Sequence, residues 1–95
     1  MISFLVRMKF PPEEREEIAE ILRHLTAASR QEPGCVSYIP LQVEGEANTV
    51  IIFEQYQNAA AEDIHKQSAH FTKYAVGGLY QKMLERHRED LYAVA

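Results

Sequence analysis

Residues 35–56 read CVSYIPLQVEGEANTVIIFEQY, and the fold turns on how that stretch divides. Thr49 to Tyr56 is a run of β-branched and aromatic residues of strand length, with no glycine or proline to break it. Cys35 to Val43 is a second such run, rich in Val, Ser, Tyr, Ile and Leu. Between them Glu44-Gly45-Glu46-Ala47-Asn48 is a polar connection of hairpin character. Pro40 has no amide hydrogen to give to a ladder, so the first of the two strands is expected at a sheet edge or with a bulge.

Working outward toward the N-terminus, Glu32-Pro33-Gly34 is a stop signal. The residue before proline is pushed out of helical geometry, and glycine tolerates the turn that follows. Before it, Ile18, Ile21, Leu22 and Leu25 recur at helical spacing, and Pro11-Pro12 followed by Glu13, Glu14, Glu16 and Glu17 suits a helix start. A helix over about residues 12–31 follows. Ile2, Phe4, Val6, Met8 and Phe10 alternate with other residues, the period of a strand.

Toward the C-terminus, Asn58 can cap a helix that opens at Ala59-Ala60-Ala61. Ala61, Ile64, Ser68, Phe71 and Ala75 fall on one helical stripe, with a break expected near Ser68 and an interruption at Gly77-Gly78. Leu79 to Leu84 reads as a short helical segment and Glu89 to Ala95 as a last strand. The order βαββαβ makes an α+β, ferredoxin-like arrangement, and residues 1–95 are read as a single domain.

Two helices cover only one face of four strands, yet these strands are apolar on both. Ile51 and Phe53 are expected to face the helices, with Val50, Ile52, Glu54 and Tyr56, joined by Leu5 and Tyr38, on the far side. An uncovered apolar face calls for a partner, and a second copy of the chain, giving a homodimer, is the simplest one.

Composition narrows the function classes. Lys and Arg total 10 against 14 Asp and Glu, with the basic residues scattered, which disfavours nucleic acid and an anionic membrane surface. Cys35 is the one cysteine, so no internal disulfide or thiolate metal cage forms, and a reducing, cytoplasmic setting is expected. No apolar run approaches the ~20 residues that span a bilayer. The sequence carries no phosphate-binding glycine loop, Cys-x-x-Cys pair or His-Glu-x-x-His helix, and no dinucleotide fold fits in its length, so the chemistry is expected to rest on side chains without an organic redox cofactor.

Among those side chains His65 can exchange a proton near neutral pH, although its place beside an expected buried Ile64 equally suits a half-exposed helix histidine. His70, at i+5, lies about 140° around an ideal helix, so the two imidazoles share no metal unless the helix breaks near Ser68. It either lines the pocket or ties the helix to backbone. Glu54 needs a partner among apolar neighbours, for which Arg7 or a backbone amide is available, and Tyr38 and Tyr56 either donate to a substrate oxygen or fill an interface. Cys35 reads as a small buried hydrophobe, and His24 and His87 as surface residues.

Ser29-Arg30-Gln31-Glu32-Pro33-Gly34-Cys35 leading to Tyr38, then Phe53-Glu54-Gln55-Tyr56, Ala60-Ala61, His65 and His70-Phe71, together resemble the antibiotic biosynthesis monooxygenase family, which includes quinol monooxygenases. The resemblance implies a dimeric α+β barrel with sheets facing one another and a pocket between sheet and second helix. It also implies oxidation of a small phenol or quinol by dioxygen without flavin, haem or metal. His65 would then accept the proton, Tyr38, Glu54 and Tyr56 would orient the substrate with His70 at the site, and Arg7 would hold an oxyanion. Tyr56 stands where many members have Trp. The haem-degrading branch has Asn, Trp and His where this chain has Arg7, His65 and Ala75, which speaks against haem. Two other readings remain open at this point: an isomerase of a phosphorylated signal-sugar derivative, and a dimeric module that binds without turnover.

Overall fold

Alternation along β1 (Ile2–Lys9) buries Phe4, Val6 and Met8 and leaves Ser3, Leu5 and Arg7 less covered. In this computed structural model, which describes residues 1–95, β1 is followed by a 3-10 turn (Pro12–Glu14) and α1 (Arg15–Ser29). Then come β2 (Cys35–Val43), β3 (Glu46–Tyr56), α2 (Ala59–Gln67), a π-helical segment (Phe71–Leu79), α3 (Tyr80–Lys82) and β4 (Glu85–Leu91). The four strands pair antiparallel in the order β2-β3-β1-β4, the ferredoxin-like topology. The sheet is open, and β2, with Pro40, is an edge strand as the missing amide requires.

Register decides which side chains meet. Phe4 lies opposite Glu54 and Val6 opposite Ile52, while Tyr38 also pairs with Glu54. All of these are buried, and so is Tyr56. This is the face on which α1 lays Ile18, Leu22 and Leu25 and the π-helical segment lays Ala75 and Leu79. The expected sidedness of β3 is therefore reversed: Ile52, Glu54, Tyr56 and Tyr38 face the helices, and Ile51 and Phe53 turn away with Leu5. Hydropathy could not choose, because β3 is apolar on both sides. The choice comes from β1, whose Phe4-Val6-Met8 stripe is continuous and draws the even positions of β3 to its own side.

The outer face carries Leu5, Ile51 and Phe53 with the exposed Ile39 and Leu41. A polar ladder crosses it, the Ser37 hydroxyl donating to Gln55 at 2.8 Å and the Gln55 amide to Ser3 at 3.2 Å.

Three boundaries differ from the sequence expectation. β3 begins at Glu46, leaving a tight turn at Glu44-Gly45 in which Gly45 has φ +81. Gly77 and Gly78 do not interrupt the chain, because the wide π turn runs through them. The last strand is Glu85–Leu91, four residues earlier than expected, and this puts Arg86 and Arg88 opposite Met8 and Val6.

Gly34 sets the closest approach between elements. A Cβ there would lie 2.4 Å from the Ala61 Cβ, so only glycine lets the turn after α1 rest against the first turn of α2. Gln57 N–H donates to the Gly34 carbonyl at 2.9 Å and continues the pairing. Gly34→Ala is expected to lower stability by roughly 1–3 kcal/mol through overpacking. Urea unfolding of the two proteins checks this, with an unchanged midpoint as the contrary result.

Candidate active site

Local chemistry of α2 delivers two histidines to one place. Asn58 Oδ1 accepts from Ala61 N–H at 2.9 Å and starts the helix where the sequence indicates. At Ser68 the backbone turns extended (ψ 153), and the chain restarts. The Ser68 hydroxyl donates to the His65 carbonyl at 2.6 Å and accepts from Phe71 N–H at 3.1 Å, closing one helix and opening the next segment. The break swings His70 back toward His65, so the rings lie 6.0 Å apart instead of on opposed faces.

His65 is 2% exposed, and Ile64, expected to be buried, is 62% exposed. The stripe is rotated by one residue because a polar cluster under the helix takes the imidazole inward. Its centre is Glu32, at the end of the turn after α1. Glu32 Oε2 accepts from His65 Nδ1 at 2.7 Å and from His70 Nε2 at 2.5 Å. Its other oxygen, Oε1, is buried without a partner. Nδ1–H of His65 is thereby occupied, which leaves Nε2 as the lone-pair nitrogen. Nε2 points toward Glu54, 3.7 Å from Oε1, and the Tyr56 hydroxyl donates to that same oxygen at 2.7 Å. Tyr38 and Tyr56 lie against His65 with ring centroids 5.7 and 5.2 Å away, and Phe71 meets it edge-on at 5.2 Å.

Burial governs the charges. It holds the His65 imidazole below its usual range, in spite of the opposing pull of Glu32. It pushes the Glu54 carboxyl up to about 7, against the Tyr56 hydroxyl and Arg88, which hold it down. The Tyr38 and Tyr56 phenols are raised well beyond the usual range by the same cause, aided by Glu54. His65 and Glu54 at 3.7 Å are accordingly an acid–base couple in which burial disfavours the charged form of each partner. Cys35, expected to be buried, is only part-buried, and that burial raises its thiol, which disfavours the reactive thiolate.

A cavity of about 40 Å³ sits between sheet and α2, lined by Tyr38, Glu54, His65, Phe71, Tyr80 and Arg88 among others. That is close to the space of one water molecule, well short of the ~300 Å³ or more usual for a ligand site. A larger groove of about 530 Å³ runs between α1 and β2, but it is lined by aliphatic side chains and Arg15, Arg23 and Arg30, with no imidazole or carboxyl to move a proton.

Of the residues singled out in the sequence, His65, His70, Tyr38, Glu54 and Tyr56 converge. Arg7 does not. It sits on the outer face between buried Val6 and Met8 and pairs with Glu46 at 3.1 Å, because parity along β1 sends it away from the helices. Arg86 and Arg88 of β4 both bring a guanidinium to the cavity wall; Arg88 lies 3.8 Å from the Phe4 ring centroid and donates to Glu62 at 2.8 Å. It escaped notice because the last strand was placed too late in the chain. Glu32 reads as part of a stop signal and of the family-like segment Ser29 to Cys35, with no role of its own, and nothing in local pattern indicates that its carboxyl turns inward.

Against known proteins, a family model described as antibiotic biosynthesis monooxygenase matches residues 1–76. The chain is 33% identical over 78 residues to a Bacillus subtilis protein named "Putative monooxygenase YcnE", with 82% of each covered. It is 36% identical over 67 residues to the uncharacterized protein sll1783 of Synechocystis, which takes in 70% of this chain but spans only about half, 46%, of that relative. A solved antibiotic biosynthesis monooxygenase superposes over the whole of both chains with a TM-score of 0.92 at 24% identity, a likeness of fold. No helix is long and apolar enough to cross a membrane.

The raised Glu54 carboxyl has a measurable consequence. Its folded value of about 7 lies above the unfolded one, so between about pH 4.5 and 7 the folded state binds the extra proton and stability falls as pH rises. In Glu54→Gln this contribution is removed. The difference in unfolding free energy, variant minus parent, is expected to grow by on the order of 3 kcal/mol from pH 4.5 to 7.5, as read by denaturant unfolding at a series of pH values. Parallel profiles would show that Glu54 is not desolvated.

Proposed function

The chain belongs to the antibiotic biosynthesis monooxygenase family, and we propose that it oxidises a small aromatic phenol or quinol with dioxygen, using its own side chains and no cofactor. The observation that supports this most is the buried His65, held through Nδ1 by Glu32 so that Nε2 points toward Glu54 at the cavity, whose wall Tyr38 and Phe71 share. A neutral imidazole oriented by a carboxylate is a general base.

In this reading His65 Nε2 takes the hydroxyl proton of the substrate. The resulting anion is electron-rich enough to reduce dioxygen directly. A quinol going to a hydroxyquinone supplies four electrons, one oxygen atom enters the ring, and the other leaves as water with the protons released. Arg88 stands where it can stabilise the substrate oxyanion, the role the sequence resemblance suggested for Arg7. Glu54 and Tyr56 orient the ring through their hydrogen-bonded pair, and Tyr38 packs on the base. The apolar walls limit water around the anion. Because the cavity is closed to about 40 Å³, an aromatic substrate reaches it by displacing Phe71 and Tyr80 from the π-helical segment and its continuation. A π turn suits that role, since such turns, though rare, are frequent at functional sites.

Residues 1–95 act in this reading as one domain that pairs with a second copy through the outer sheet face, where Leu5, Ile51 and Phe53 are incompletely covered. One feature favours a second reading. Two acid–base groups 3.7 Å apart, one with a pKa of about 7, are also what an isomerase needs to move a proton between adjacent carbons of a signal-sugar derivative.

Dioxygen consumption separates the two. With a panel of quinols and anthrones, uptake above the autoxidation blank is expected. His65→Ala is expected to lower it by about 100-fold or more, as loss of a general base does. No uptake above the blank overturns the oxygenase reading for those substrates and favours the isomerase, which leaves dioxygen untouched.

A further inference from the structure

Glu32, His65 and His70 offer one oxygen and two nitrogens that all lie within 4.8 Å of one another. We propose that these three side chains bind a divalent transition ion of the zinc type, and that the bound ion switches off His65 as a base. The second clause rests on the reading of His65 given above, whereas the first stands without it.

Three observations carry the site. Glu32 Oε2 is already the shared acceptor of both rings, at 2.7 and 2.5 Å, so the donor atoms converge on one point. Zinc bonds of about 2.0–2.2 Å in a tetrahedron set neighbouring ligands roughly 3.3 Å apart. An ion therefore replaces the two hydrogen-bonding protons if each ring withdraws from the carboxyl by less than about 1 Å and the two ring nitrogens, which lie within 4.8 Å of each other, settle at the same ligand spacing. Glu32 Oε1 is buried with no partner, an acceptor that a cation would satisfy. The side chains are graded in exposure, 3% for His65, 9% for Glu32 and 21% for His70. The site is thus enclosed on the His65 side and open beyond His70, where an ion can arrive and a water can complete the coordination. Two imidazoles with one carboxylate favour zinc, copper or nickel over magnesium or calcium, which prefer oxygen alone.

The consequence for the base follows from the tautomer. In the metal-free protein Nδ1 of His65 carries the proton and Nε2 is free. A metal on Nδ1 requires the neutral ring to carry its proton on Nε2, facing Glu54 at 3.7 Å. A ligating histidine that gives its other N–H to a carboxylate is the usual support of such a centre. That nitrogen then has no lone pair with which to take a proton from a substrate.

The test uses tag-free protein stripped of metal and titrated with zinc chloride by isothermal calorimetry, beside Glu32→Gln, His70→Ala and the surface control His24→Ala. Thermal unfolding confirms that each variant folds. One ion per chain is expected, with affinity weakened roughly tenfold or more in the first two variants and unchanged in the control. Nitrogen-15 histidine spectra of the parent are expected to show the His65 proton pass from Nδ1 to Nε2 on zinc addition, a readout that needs neither substrate nor variant. Absence of one-to-one binding, equal binding by Glu32→Gln and His70→Ala, or an unmoved His65 proton overturns the site. If zinc binds as described but no quinol supports oxygen uptake, the oxygenase reading fails and the site stands. If uptake occurs and saturating zinc leaves it unchanged, the inhibitory clause is overturned.

Discussion

One carboxyl oxygen shared by two imidazoles organises this molecule. Glu32 reaches from the turn after α1 under α2, and the whole functional face of the structure follows from satisfying it. It rotates α2 so that His65 goes in and Ile64 goes out, against the hydropathy of the helix. It requires His70 to come round, which the Ser68 break permits. It requires the turn to lie hard against Ala61, which only Gly34 permits. Polar groups buried without partners cost several kcal/mol, more than the ~1.5–3 kcal/mol given up by leaving one isoleucine in water. The cluster therefore overrides the amphipathic pattern rather than the reverse.

That ordering of magnitudes explains which parts of the structure can be read from residues in sequence. The β2–β3 hairpin, the end of α1 at the Glu32-Pro33-Gly34 turn, the Asn58 cap and the break at Ser68 are local, set by φ, missing amides and short side-chain hydrogen bonds, and all are legible. Sidedness is not local. Both faces of β3 are apolar, so its orientation was decided only by pairing with β1. The inward turn of Glu32 and the arrival of Arg88 at the cavity depend on elements tens of residues away. Five candidate residues could be singled out because imidazole, phenol and carboxyl groups among apolar neighbours are conspicuous, and the structure brings those five side chains together. Arg7 lies apart from them because an arginine on a strand is placed by parity, and the position of Arg88 at the cavity was not legible because a charged β4, Glu85–Leu91, has none of the apolar alternation by which strands are recognised.

The same burial gives the cavity its chemical character. With the imidazole held below its ordinary range and the Glu54 carboxyl raised to about 7, the carboxyl comes to hold a proton at least as firmly as the imidazole, while charge is discouraged on both. A substrate anion formed beside such a pair meets Arg88, which with Arg86 and Lys66 puts positive charge on the cavity wall.

Glu32 lies 33 residues from His65 and 38 from His70, with the complete β2–β3 hairpin in between. Closing a chain segment of that length has an entropic cost that the hairpin must first reduce by bringing its ends together. A formed hairpin therefore lowers the cost of bringing the carboxyl between the rings. An incompletely folded chain has a histidine but no aligned base, so whatever proton chemistry the cluster performs belongs to the finished molecule alone.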